Sequence, residues 1–320
     1  METTKLMYQI NKSPFGSLEQ VHIGNGENEL SFVPSNGGFV TDLKFKLNNR
    51  TFNIIDGYQD EESLINKDYY KSAFLLPFPN RLNEGKYTYK GKNYEFPIND
   101  TECNNALHGF EDCYEMQLQD VRLNGENAEV VLHHSYNGQN PAYPFPFEFT
   151  VIYTLSENNS FECEVKIENP NDFTIPIGFG WHPYFKLGNL PVEKLELQMP
   201  TVDQVLIDDR MLPTGEFKSV NTYNLFTNLT GKEFDTCFKS IDGSVSEVVI
   251  NAASINTKLS YWQENEAFPY FQVFIPPKRK SIAIEPMTCN VNAFNRPDDL
   301  KELNGNERLR GKFGVLVTGY

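Results

Sequence analysis

Phe147-Glu-Phe-Thr-Val-Ile-Tyr-Thr-Leu155 and Phe161-Glu-Cys-Glu-Val-Lys-Ile-Glu168 are separated only by Ser156-Glu-Asn-Asn-Ser160. In both segments apolar residues alternate with polar ones, the period of a strand with one buried and one wet face. The five residues between them are turn formers, so the pair reads as a long antiparallel hairpin. Pro141 to Pro146 supplies the loop that leads in. Upstream, Glu129-Val-Val-Leu132 continues the strand pattern into His133-His134. Neighbouring strand residues point to opposite faces, so those two histidines cannot easily share a ligand.

Working outward, the same grammar recurs. Leu43-Lys-Phe-Lys-Leu47 alternates and Asn48-Asn49 turns the chain; before it, Pro34-Ser-Asn-Gly-Gly38 is turn chemistry. A Tyr87/Tyr89 strand lies between turns at Gly85 and Lys90-Gly91-Lys92. Leu195-Glu-Leu-Gln-Met199 alternates again. Residues 60–72 carry no apolar stripe and read as a loop or one short helix. No helix of ordinary length is predicted anywhere, and no internal repeat, low-complexity tract or linker interrupts the pattern. The expectation is an all-β fold, a single domain over residues 1–320 built from two large antiparallel sheets packed as a sandwich.

Composition excludes some partners. The chain has 320 residues with 28 Lys and Arg against 43 Asp and Glu, a formal charge of −15. Nucleic acid and anionic membrane surfaces call for clustered cations instead. Its 25 Phe and 16 Tyr can fill a sizeable core. Cys103, Cys113, Cys163, Cys237 and Cys289 form an odd set without a CxxC pair. That argues against a disulfide framework or a zinc site and for reduced thiols in the cytoplasm. The N-terminus lacks a basic segment followed by an apolar one, and no apolar run is long enough to span a bilayer as a helix.

Several residues could carry chemistry. In Ser281-Ile-Ala-Ile-Glu285-Pro286, Ile282 and Ile284 mark a half-buried strand expected to stop at Glu285, because Pro286 cannot donate to a ladder. A carboxylate at that rim, with Asn290, Asn292 and Asn295 beyond it, suits polyol recognition and proton transfer, or it faces water. Arg81 follows the proline-fixed segment Leu75-Leu-Pro-Phe-Pro-Asn80 and could bind hydroxyls, a phosphate or a surface carboxylate. His108 lies between apolar neighbours beside a glycine, a setting that suits a structural role. His182 sits among Trp181, Tyr184 and Phe185, as a core histidine or as one tuned by an aromatic wall. Gly178 and Gly180 before it allow close backbone approach. Lys278-Arg279-Lys280 reads as a solvated turn.

Together these stretches resemble the aldose 1-epimerase (galactose mutarotase) family. The resemblance rests on Pro79-Asn80-Arg81 with Gly85-Lys-Tyr-Thr-Tyr-Lys-Gly-Lys; Asn105-Ala-Leu-His108-Gly; His182-Pro-Tyr-Phe-Lys-Leu187; Leu212-Pro-Thr-Gly-Glu216; Phe234-Asp235; and Glu285-Pro-Met-Thr with Asn292-Ala-Phe-Asn295. It implies a large antiparallel β-sandwich with a sugar site across its concave face. It further implies Glu285 as general base and His182 as general acid, with Arg81, His108, Asp235 and Asn80 binding the sugar. The base would take the anomeric proton while the acid protonates the ring oxygen; the opened aldehyde rotates and recloses. No metal or other cofactor is required for that reaction. In galactose mutarotases an Asn commonly precedes the acid histidine, where this chain has Trp181. The segment after His108-Gly109 reads Phe110-Glu-Asp-Cys-Tyr114 in place of a second glycine and a nearby Trp. Both departures are expected to border the pocket and to bear on which sugar is preferred. Rival readings of the same fold are a hexose-phosphate epimerase and a non-catalytic sugar-binding protein. The oligomeric expectation is a monomer or weak homodimer.

Overall fold

The computed structural model describes residues 7–110 and 114–320. Two large antiparallel sheets dominate it. One has nine strands in the order Gln117–Leu123, Asn127–Tyr136, Phe147–Ser156, Ser160–Glu168, Arg308–Gly319, Thr257–Glu264, Val245–Ala252, Glu196–Gln198 and Thr227–Asn228. The other runs Pro213–Val220, Val202–Ile207, Asp235–Ser240, Tyr270–Phe274, Ile282–Met287, Gly180–Trp181 and Phe74–Leu75, with Tyr184–Phe185 also paired to Ile282–Met287. A five-stranded sheet is formed by residues 9–53. The only α-helix among the described residues is Glu61–Ile65, within the segment expected to be a loop or short helix.

The hairpin that announced the fold pairs as expected, from Glu148 opposite Glu168 to Ser156 opposite Ser160. Phe147, Phe149, Val151, Tyr153 and Leu155 are buried and their neighbours are partly exposed, so one face of this strand meets the core. Rings from the second sheet complete that core. Phe74 meets Phe149 edge-on at 5.4 Å and Trp181 stacks on Phe313 at 5.1 Å. The Asn48-Asn49 and Lys90-Gly91 turns take left-handed conformations at both central positions, which matches the twist of the strands they join.

One expectation about Glu285 fails. The strand does not stop there: Ile282–Met287 pairs through Pro286 opposite Phe271 and Met287 opposite Tyr270. All six of its residues are buried, so it is covered on both faces instead of one. Pro286 is tolerated because the neighbouring strand on its other side is broken. Tyr184 and Phe185 pair with Ala283 and Ile282, Gly180 pairs with Met287, and no residue pairs with Glu285 or Pro286 between them. The missing donor falls opposite that gap. His182 and Pro183 are the residues that occupy it.

Candidate active site

Strand register assembles most of the site. Cys237, Gln272 and Glu285 are directly opposite one another on three adjacent strands; Asp235, Phe274, Ala283 and Tyr184 form the next row on the same face. Ile282 and Ile284 point the other way, into the core between the sheets. His182 continues the Glu285 row across the gap, two residues before Tyr184. Its Nε2 lies 3.3 Å from Glu285 Oε1, and Glu285 is only 1% exposed. The backbone of His182 is fixed on both sides: its N–H donates to Ala73 O at 3.0 Å and its carbonyl accepts from Ser72 N–H at 2.8 Å. Tyr184 stacks on its ring at 5.0 Å.

The second histidine arrives from a loop. His108 has a φ of 65° and is followed by Gly109 at 75°. A Cβ on Gly109 would stand 2.1 Å from Leu76 O, so only glycine fits against that carbonyl. The tight turn sets the His108 ring edge-on to His182 at 5.2 Å. Asn80 N–H donates to His108 Nδ1 at 3.1 Å. A backbone N–H can only donate, so Nδ1 is unprotonated and the ring presents Nε2–H as a donor. Asn80 Oδ1 accepts from Arg81 N–H at 2.9 Å, and Arg81 Nε donates to Asp100 Oδ2 at 2.8 Å. This leaves the far end of the guanidinium 3.9 Å from Asp235 Oδ2.

Asn80, Arg81, His108, His182, Tyr184, Asp235 and Glu285 line one cavity of about 210 Å3, with Tyr69, Tyr70, Leu107, Gln272 and Phe274 completing its wall. That is smaller than the roughly 300–1,000 Å3 of sites for drug-sized ligands and suits one sugar ring. Three buried polar atoms of its lining residues have no partner: Glu285 Oε2, Gln272 Oε1 and His182 Nδ1. Unpaired buried polar atoms gathered in one cavity are the signature of a site that a polar ligand completes. Burial holds the Glu285 carboxyl well above its ordinary range; the Asp235 carboxylate adds to this and Arg81 opposes it. Burial also drives His182 well below its ordinary value. His108 is lowered by burial, then by His182 and Arg81. Burial thus favours the protonated form of Glu285 and the neutral form of His182, which places a proton donor and a proton acceptor 3.3 Å apart.

The structure brings all six expected residues, Glu285, His182, Arg81, His108, Asp235 and Asn80, to this cavity. It also adds residues the sequence reading missed. Gln272 donates to Asp235 Oδ1 at 2.6 Å and stands beside Glu285. It is a lone amide in the apolar run Tyr270-Phe-Gln-Val-Phe274, a signal that was there to be read. Asp100 orients Arg81 from a distant loop and leaves no local trace. Trp181 and Phe110, one residue from each departure from the family pattern, turn away from the cavity. Trp181 lies on the core face, its indole N–H donating to Ser72 O at 3.1 Å. Phe110 packs against Tyr136 and Tyr143. Residues 111–113 of the second departure, Cys113 included, lie outside the described residues, and its last residue, Tyr114, donates its hydroxyl to Phe74 O at 3.0 Å. Among the described residues Cys103, Cys163, Cys237 and Cys289 are free thiols. No helix among the described residues is long and apolar enough to cross a membrane.

The family model described as aldose 1-epimerase matches residues 19–315. The chain belongs to the aldose 1-epimerase family. Among curated relatives, it is 28% identical over 247 residues to the Escherichia coli protein named "Uncharacterized protein YihR", covering 75% of this chain and 77% of that one. It is 26% identical over 209 residues to bovine galactose mutarotase, covering 64% of this chain and 59% of the bovine protein. A galactose mutarotase-like protein from Clostridium acetobutylicum shares the fold of this epimerase-family chain with a TM-score of 0.85, at 22% identity over 99% of this chain and all of that one. Membership makes it an isomerase-type enzyme at the level of the family.

Proposed function

We propose that this protein is a mutarotase that interconverts the α and β anomers of a free aldohexose, galactose or glucose being the first candidates. One observation carries the reading: a buried carboxyl and a buried imidazole, 3.3 Å apart, share the floor of a cavity of about 210 Å3. Glu285 first passes its proton to His182 across the 3.3 Å contact; the carboxylate then takes the proton of the anomeric hydroxyl while the imidazolium delivers one to the ring oxygen, and the hemiacetal opens. After rotation about the first carbon–carbon bond the two exchange roles and the ring recloses, so the protein's proton count is unchanged. Arg81, the Nε2–H of His108, Asp235 and Asn80 hold the remaining hydroxyls, with Gln272 joining them. The name of the bovine relative supports the choice of galactose. We read the activity as carried by one domain spanning residues 1–320, acting in the cytoplasm as a monomer or weak homodimer.

Polarimetry of freshly dissolved α-D-galactose and α-D-glucose tests the proposal. Wild type should speed relaxation well beyond buffer and Glu285→Gln should not. A wild type that binds these sugars yet leaves their relaxation at the buffer rate would favour a binding role.

A further inference from the structure

A second cavity, of about 300 Å3, abuts the first and shares Tyr69 and Tyr184 with it. Its walls are the 56–71 segment on one side and the turn at Pro276–Ser281 on the other. Lys278 and Lys280 of that turn are exposed, as the sequence suggested, and Arg279 between them is half-buried. Arg279 is tied down by Glu193 and by the carbonyls of Lys232 and Leu229. This holds the flanking Lys278 and Lys280 toward the cavity.

The charged groups facing the cavity balance. Lys71, Lys278 and Lys280 stand against Asp56, Asp60 and Asp68. Lys71 pairs with Asp56 at 3.2 Å, and Asp60 accepts from Ser63 N–H as the helix cap at 2.8 Å. Lys278, Lys280 and Asp68 have no hydrogen bond or ion pair among the described residues. A lining with no net charge gives an anionic group little net attraction. It offers a neutral polyol both ammonium donors and carboxylate acceptors. Tyr69, 45% exposed, adds an aromatic face of the kind on which a sugar ring rests.

The partition between the cavities is held at a conformational cost. Lys67, Tyr69, Tyr70 and Ser72 all take left-handed φ values, between 52° and 59°. Non-glycine residues pay for such a conformation, and clusters of them mark functional sites. Here the strain sets Tyr69 on the boundary between the two cavities.

We propose that the second cavity is a subsite for a second sugar unit, extending the substrates of this enzyme from the free hexose to reducing disaccharides. The inference rests on the mutarotase reading: the reducing ring reacts at Glu285 and His182, and the link to the second ring passes between Tyr69 and Tyr184. The test compares glucose, maltose, cellobiose, melibiose and glucose 6-phosphate in wild type and in Lys278→Ala/Lys280→Ala. Anomeric exchange by NMR gives turnover, and titration calorimetry gives binding independently of turnover. Wild type should favour at least one disaccharide over glucose by about tenfold in both measurements. The double variant should lose that preference and keep its glucose values. Three results overturn the subsite: no disaccharide preference in binding, preference for the phosphosugar, or equal losses on glucose and disaccharide in the variant. Tight, lysine-dependent disaccharide binding without turnover would support the subsite and sink the mutarotase reading alone.

Discussion

Glu285→Gln should make the protein inactive and more stable at once. The amide keeps the shape of a side chain that is 1% exposed, so the fold has no reason to change. Removing one acid–base partner typically costs about 10²–10⁴ in rate, or roughly 3–5 kcal/mol of barrier. The effect on stability follows from burial, which raises the carboxyl's folded-state pKa. In the unfolded chain Glu285 ionises near its ordinary value of 4.5, while the folded protein retains the proton. Its contribution to stability is complete below that pH and is lost as pH rises through the folded-state pKa. One proton's difference corresponds to about 1.4 kcal/mol per pH unit. The stability gap in favour of Glu285→Gln should therefore widen by up to that slope as pH climbs from 4.5. Urea unfolding of both proteins at half-unit pH steps measures the gap, and polarimetry measures the rate. A gap that stays flat with pH would falsify the claim that burial suppresses ionisation of Glu285, whatever happens to activity.

Because Glu285 and His182 lie 3.3 Å apart and act as one pair, His182→Gln should cost about as much rate as Glu285→Gln, and the double variant little more; additive losses in polarimetry would show two independent groups. Asp100→Ala removes the 2.8 Å anchor of Arg81 and should raise KM severalfold with a smaller change in kcat; an unchanged KM would mean that Arg81 does not need its anchor. Trp181→Phe should destabilise the protein by about 1–3 kcal/mol, through lost ring volume and an unpaired Ser72 carbonyl, yet leave KM and sugar preference alone. A changed sugar preference in that variant would put the family departure at Trp181 back into the substrate site.

The strands were legible because their chemistry is periodic. Phe147–Leu155 declares its buried face residue by residue, and turns such as Asn48-Asn49 need the left-handed conformations that asparagine tolerates. The site was legible in its members and opaque in its geometry. Nothing local says that Ile282–Met287 is buried on both faces, since that depends on what the rest of the chain lays over it. Trp181 and His182 are neighbours in sequence, yet one enters the core and the other the cavity. The alternation of a strand predicts that split, and it was missed because Gly180–Trp181 is so short a strand. Asp100 and Tyr70 were invisible for a different reason: they reach the site only through loop closure.

Glu285 belongs to a strand flanked on both sides inside an eight-stranded sheet, with none of its residues near solvent. Segments of this kind open only when the whole molecule does. Glu285 therefore has no private way to fail. On heating, the base should stay in place until the cooperative melt and then be lost with it. The strained 67–72 segment is the opposite case. It can soften below the melt, and through the Ser72 N–H that holds the His182 carbonyl its softening reaches the acid. Activity lost ahead of the global melt would then be the loss of His182's placement, with the strand that carries the base still intact.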